Sequence, residues 1–118
     1  MLTERVDQLL RAEVLLSVQR ALVGAVPASL RAVTCDWSEA TVTLRYVFDG
    51  PVHPFDADRM MAVGGEVAAD LGYAFSLDEK VVRADHPEGL DRHFLRAWAY
   101  MRQEGPTEDF RLGLAGAG

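Results

Sequence analysis

Apolar residues recur every three or four positions near the start of the chain, which is the spacing of an amphipathic helix. Thr3 can cap such a helix, and Gly24 and Pro27 mark its end, so the pattern predicts a helix over residues 3–26. Its apolar positions are Leu2, Val6, Leu9, Leu10, Val14, Leu16, Val18, Leu22 and Val23. Because they cover more than one side, we expect this helix to contact the sheet and either a second helix or a second subunit.

The pattern then changes to an alternation with a period of two, which is typical of half-buried strands. In the first strand Val33, Cys35 and Trp37 share one side. The segment between the two strands is short enough for a hairpin. The predicted strands are residues 30–37 and 41–48, and Asp49-Gly50-Pro51 stops the second one.

A second helix is predicted from Asp56, which can cap it, to Leu71, with Gly72 as its terminator. This helix contains a patch of small residues, and each glycine in it costs up to ~1 kcal/mol relative to alanine. We expect close approach of a neighbour to compensate. The patch consists of Gly64, Gly65, Ala68 and Ala69.

Residues 75–84 predict a third strand, in which Asp78-Glu79-Lys80 indicates a sheet edge or an early bulge. Residues 93–102 fit a strand or a helix, and we favour the strand because Trp98 and Tyr100 favour sheets. The predicted fold is α+β, a single four-stranded, mainly antiparallel sheet with two helices on one face, in the order α-β-β-α-β-β. The other face is expected to stay uncovered. Residues 1–104 form one domain, and residues 105–118 are a loose C-terminal tail.

Composition indicates an ordinary globular domain, with 118 residues, 49% apolar and 25% charged. The net charge of −6 argues against binding to nucleic acid or to an anionic membrane, since both need clustered Lys and Arg. No segment approaches the ~20 apolar residues of a membrane span. The single cysteine cannot form an intramolecular disulfide, and the chain starts without the apolar core of a signal peptide, so we predict a cytoplasmic protein.

The negative charge is concentrated in residues 32–79, which hold nine acidic residues against Arg45 and Arg59. This segment either keeps the protein solvated or forms an electrostatic surface for a basic protein partner. Trp37 is either an exposed anchor at the hairpin or folds back on the sheet. Asp56 and Asp58 are also simple partners for the dipole of the second helix. The predicted partner-binding residues are Asp36, Trp37, Glu39, Asp56 and Asp58.

The remaining candidate chemistry is sparse. His53, His86 and His93 lack metal-ligand spacing, so we predict no metal, no cofactor and no catalytic residues. Cys35 lies mid-strand without cationic neighbours and is predicted to be a buried structural thiol. Two alternatives stay open beside a binding protein. One is a small enzyme or ligand-binding domain with a pocket near the histidines. The other is a structural homodimer that uses the small-residue patch or the open sheet face.

A set of short motifs completes the pattern: Leu30-Arg31-Ala32-Val33, Trp37, Leu44-Arg45, Phe48-Asp49-Gly50 and Glu66-Val67-Ala68-Ala69-Asp70. Over residues 14–102 the chain resembles a group of small, mostly uncharacterised bacterial proteins, some of them immunity-like. The resemblance implies an aromatic strand over 93–102. Together with the acidic segment, it leads us to predict a non-enzymatic binding protein of immunity or antitoxin type that blocks a basic partner such as a nuclease toxin. It implies no catalytic residues. Relatives often have acids after the Phe-Asp-Gly turn, where this chain has residues 51–55.

Overall fold

The computed structural model describes residues 3–108. It has two α-helices and one four-stranded sheet in the predicted order, which confirms the α+β fold. The predicted C-terminal tail falls largely on residues 109–118, which lie outside the described residues. The helices are α1 (Glu4–Leu22) and α2 (Pro54–Leu71), and the strands are β1 (Leu30–Trp37), β2 (Thr41–Phe48), β3 (Ser76–Arg83) and β4 (Ala97–Met101).

The sheet has the strand order β3-β2-β1-β4. Strand β1 pairs antiparallel with β2 and β4, whereas β2 and β3 are parallel, so the sheet is mixed. The parallel pair is possible because α2 provides the long crossover that such a pair needs. Strand β3 lies at an edge, as its charges predict. The ambiguous last segment is a strand, shorter than predicted because a 3-10 turn at Asp91–His93 precedes it.

Both helices pack on one face of the sheet and form the main hydrophobic core with it. Cys35 and Trp37 belong to this core and face the helices, as the alternation of β1 predicts. Burial raises the pKa of the Cys35 thiol to about 11, as expected for a structural thiol. Other core residues are Val14, Val18, Val33, Leu44, Tyr46, Phe48, Met60, Val63 and Val67.

Helix α2 begins three residues earlier than predicted, because its cap is His53 rather than Asp56. The Nδ1 atom of His53 accepts a hydrogen bond from the Phe55 backbone N–H at 3.1 Å. Pro54 fits the first helical position because its missing N–H would have no partner there. Asp56 lies in the first turn, where its charge complements the helix dipole.

The prediction of an uncovered second face was wrong in part. The segment between β3 and β4 crosses this face, and its Leu90 packs in a small second cluster with Ala32 and Val47. Polar contacts hold the segment in place: Arg45 Nη1 donates to the His93 carbonyl at 3.0 Å. The Leu95 backbone N–H donates to the Thr34 hydroxyl at 3.0 Å. The sheet therefore has a helix-covered face and a face partly covered by its own connection.

Candidate functional site

The predicted hairpin residues lie at a surface groove of about 660 Å³, between the N-terminal end of α1 and the β1–β2 hairpin. Trp37 and Glu39 line the groove directly. Asp36 borders it through Arg96, whose Nη1 lies 3.8 Å from the Asp36 carboxylate. The lining residues are Glu4, Asp7, Trp37, Ser38, Glu39, Ala40 and Arg96.

Trp37 folds back on the sheet and is only 4% exposed, so it is not a protruding anchor. Its indole N–H donates to the Asp7 carboxylate at 2.9 Å. The Arg96 guanidinium lies 4.3 Å from the centre of the ring, and that of Arg11 lies 5.7 Å away. These contacts fix the ring as a rigid wall of the groove.

The Asp7 carboxylate is held ionised at the base of this arrangement. Arg96 Nη2 lies 2.6 Å from Asp7 Oδ2, and this hydrogen bond lowers the pKa of Asp7 below its ordinary value. Arg96 also donates to the Trp37 carbonyl at 3.3 Å. Among the described residues at the groove, the carboxylates of Glu4, Asp7, Asp36 and Glu39 outnumber the guanidiniums of Arg11 and Arg96. The groove therefore has an acidic balance.

Asp56 and Asp58 do not lie with the hairpin residues. They are in the first turns of α2, which follows the far end of β2. The eight residues of β2 span roughly 25 Å at the usual rise per residue. The five predicted contact residues therefore form two separate acidic regions, one at each end of the sheet.

The three histidines have separate local roles. His53 caps α2, the Nε2 atom of His86 lies 3.5 Å from the Gly105 carbonyl oxygen, and that of His93 lies 3.4 Å from a Glu88 carboxylate oxygen. None of them lines the acidic groove. Within residues 3–108, no group of three or more His, Cys, Asp or Glu side chains could hold a metal ion. The described geometry gives no support to a pocket built from these imidazoles.

A buried network of charges was missed by the sequence interpretation. Arg31 is fully buried and bonded to Glu104, and it lies at the β-bulge between Leu30 and Ala32, where the simple alternation of β1 is interrupted. Arg102 forms ion pairs with both Glu104, at 2.8 Å, and Asp49, at 2.6 Å. Arg31 belongs to the Leu-Arg-Ala-Val motif and Asp49 to the Phe-Asp-Gly motif. The presence of opposite charges in these two motifs was the available signal for the network. The network is structural, because the Arg31 side chain is sealed from solvent.

A second groove, of about 630 Å³, lies beside this network. Leu90, Trp98 and Met101 give it an apolar wall, and Arg102 and Glu104 contribute its polar side. The Phe94 ring packs against Trp98 with 5.1 Å between ring centres.

These features define a small α+β domain with an acidic groove at the hairpin end of its sheet. Residues 11–104 match the model of the MafI2 immunity protein family, and the chain belongs to this family. It is thus an immunity-type protein, and membership implies binding to a protein partner. No curated protein shows significant similarity to the chain. None of the described helices combines the length and apolar character needed to cross a bilayer.

Proposed function

We propose that this chain is a non-enzymatic immunity-type inhibitor that binds a basic toxin through the acidic groove at the hairpin end of the sheet. The observation that carries the proposal is the groove itself, in which Glu4, Asp7 and Glu39 surround the fixed Trp37 ring. We expect it to act in the cytoplasm, as the sequence predicts. Family membership supports the inhibitor class.

The chemistry of the groove suits a cationic surface. Opposite charges accelerate the encounter of two proteins and exclude wrongly charged partners. A toxin that acts on nucleic acid must present Lys and Arg to phosphates, and an acidic groove competes for those same side chains. Trp37 and Asp7 are already fixed by their own contacts, so little conformational entropy is lost when a partner binds.

Asp56 and Asp58 are proposed as a second contact region. Asp58 is exposed and Asp56 half-buried, so both carboxylates can contact a partner. Since they lie at the other end of the sheet, they contribute only if the partner is large enough to reach both regions. Reversing the charges of each region in a separate variant shows whether the partner contacts one region or both.

Affinity measurements on charge-reversed variants test the proposal. The probe is the protein encoded by the gene adjacent to that of this chain, and calorimetry gives the Kd. Reversal of the hairpin pair, Asp36→Lys with Glu39→Lys, should raise the Kd at least about tenfold. Glu66→Lys with Asp78→Lys is the matched control, because it changes the net charge equally at exposed sites away from the groove.

A control variant that weakens binding as much as the hairpin variant would show that net charge alone matters. That result would overturn the groove as the binding site. An unchanged Kd for the hairpin variant would do the same.

A further inference from the structure

Helix α1 has apolar residues on two opposite sides. One side faces the core with Val14 and Val18, both fully buried. The opposite side exposes Leu9 by 59%, Leu16 by 52% and Val23 by 82%. Residues seven positions apart lie on the same side of a helix, so these three form one stripe roughly 20 Å long.

This stripe differs from an isolated exposed residue such as Tyr73. Tyr73 is fully exposed, but it lies alone in the turn after α2. Single exposed apolar residues are ordinary on protein surfaces, whereas a contiguous row marks an interaction site. The exposed Ala12 lies between Leu9 and Leu16 and continues the row.

We propose that this stripe is the interface with a second copy of the chain, in which the two α1 helices pack antiparallel. The inference is independent of the proposed toxin binding. A two-fold axis at Leu16 places the two Leu16 side chains against each other. The same axis places Leu9 against Val23 of the second copy, and the reverse contact follows by symmetry.

The charges beside the stripe select the antiparallel orientation. Glu13 and Arg20 flank the same edge of the stripe, seven residues apart. In the antiparallel pair each Glu13 meets Arg20 of the second copy, which gives two opposite-charge contacts. A parallel pair would instead place Glu13 against the opposite edge of the stripe, near Ala12, and would form neither of these contacts. Arg20 is bonded to Asp70 of its own chain at 2.7 Å, but its side chain is 64% exposed and can accept a second carboxylate.

The geometry also indicates how strong the dimer is. A single helix face buries less than the ~800 Å² per partner of a stable interface, so we expect a reversible dimer. Asp7 contacts Trp37 on the sheet-facing side of α1, away from the stripe. The acidic groove therefore stays accessible in both copies, and loss of the dimer leaves toxin binding unaffected.

Sedimentation equilibrium between about 10 µM and about 1 mM tests the proposal. The full chain should shift from monomer to dimer as its concentration rises. Leu16→Glu should remain a monomer, because it places two carboxylates at the two-fold axis, and it should keep its melting temperature because Leu16 is exposed. Tyr73→Glu, which changes an exposed residue off the stripe, should dimerise like the original chain.

Cross-linking tests the orientation without depending on Leu16. A short bis-maleimide should join Leu9→Cys chains to Val23→Cys chains when the two are mixed. It should join Leu9→Cys chains to each other far less, and the buried Cys35 should not react. A monomer at all concentrations, a Leu16→Glu variant that dimerises normally, or absence of the mixed cross-link would overturn the proposal.

Discussion

The guanidinium of Arg31 donates two hydrogen bonds to the Glu104 carboxylate, each at 2.9 Å, although 73 residues separate the two in the chain. The Arg31 side chain is 0% exposed and that of Glu104 is 7% exposed. A third N–H of Arg31 donates to the Ala84 carbonyl at 2.8 Å. One buried cation therefore ties the start of β1 to the residues that follow β3 and β4.

Removing the carboxylate from this pair should be strongly destabilising. Glu104→Gln leaves the buried Arg31 charge without its counter-ion, which costs ~3–5 kcal/mol in comparable cases. Urea unfolding measures the loss. Glu108→Gln is the control, because the Glu108 side chain is exposed, and it should unfold like the original chain. A Glu104→Gln variant of unchanged stability would show that the pair contributes nothing.

The same network makes stability depend on pH. Burial alone would raise the pKa of Glu104, but the hydrogen bonds from Arg31 and Arg102 outweigh it and lower that pKa below its ordinary value of 4.5. A carboxyl with a lowered folded-state pKa stabilises the protein fully above its ordinary pKa, and this stabilisation is lost as the pH falls through the folded-state pKa. The free energy of unfolding should therefore drop as the pH falls below the ordinary Glu104 pKa of 4.5.

Two variants separate the contributions to this acid sensitivity. Glu104→Gln should show a shallower drop, because it has lost the titrating group. Glu79→Gln should show a steeper drop in the free energy of unfolding as the pH falls. Burial raises the pKa of Glu79, so protonation of Glu79 stabilises the folded state as the pH falls. Identical pH profiles for all three proteins would contradict the assignment.

Gly64 and Gly65 are adjacent in α2 but should respond oppositely to alanine. A Cβ atom at Gly64 would overlap the Glu79 carboxylate, which accepts a hydrogen bond from the buried Tyr46 hydroxyl at 2.9 Å. Displacing that carboxylate leaves the hydroxyl without its partner, so Gly64→Ala should lose ~1–3 kcal/mol. Gly65 has open space around it, so Gly65→Ala should gain up to ~1 kcal/mol from helix propensity.

Thermal unfolding of both variants tests this contrast, and a double variant isolates its cause. In a Glu79→Ala background the obstacle is gone, and Gly64→Ala should no longer destabilise. Equal effects of the two glycine substitutions would mean that Gly64 does not form the close contact.

Cys35 should be unreactive in the folded protein. Its side chain is fully buried, and burial raises its pKa to about 11, so little thiolate is present at neutral pH. An aromatic disulfide reagent should modify it only as fast as the protein unfolds. Modification within seconds under native conditions would contradict the structural role.

Much of the fold was predictable, because apolar periodicity determines which residues face the core. The alternation in β2 and the three- and four-residue spacing in α1 agree with the observed elements. The first and last residues of the helices and strands were less predictable. His53 caps α2 because Pro54 follows it, and this local geometry outweighed the better intrinsic capping preference of Asp56. The last strand is shorter than its pattern because Thr34 holds the preceding segment across the sheet.

The candidate site was predictable only in part. Sequence placed Asp36, Trp37 and Glu39 at one hairpin, but the contribution of Asp7 and Arg96 comes from elements that meet only in three dimensions. The burial of Arg31 was not predictable, because a β-bulge interrupts the alternation at this position and its partners Ala84 and Glu104 lie more than fifty residues later in the chain.

The central claim is that the negative charge at the hairpin groove attracts and binds a basic partner. The association rate constant measures this electrostatic attraction most directly. Stopped-flow mixing with the protein encoded by the adjacent gene should give a rate constant that falls at least about tenfold between about 0.05 M and about 0.5 M salt. Asp36→Lys with Glu39→Lys should lower the rate and flatten its salt dependence. A rate that is equally fast at both salt concentrations, and equally fast for the variant, would contradict the account.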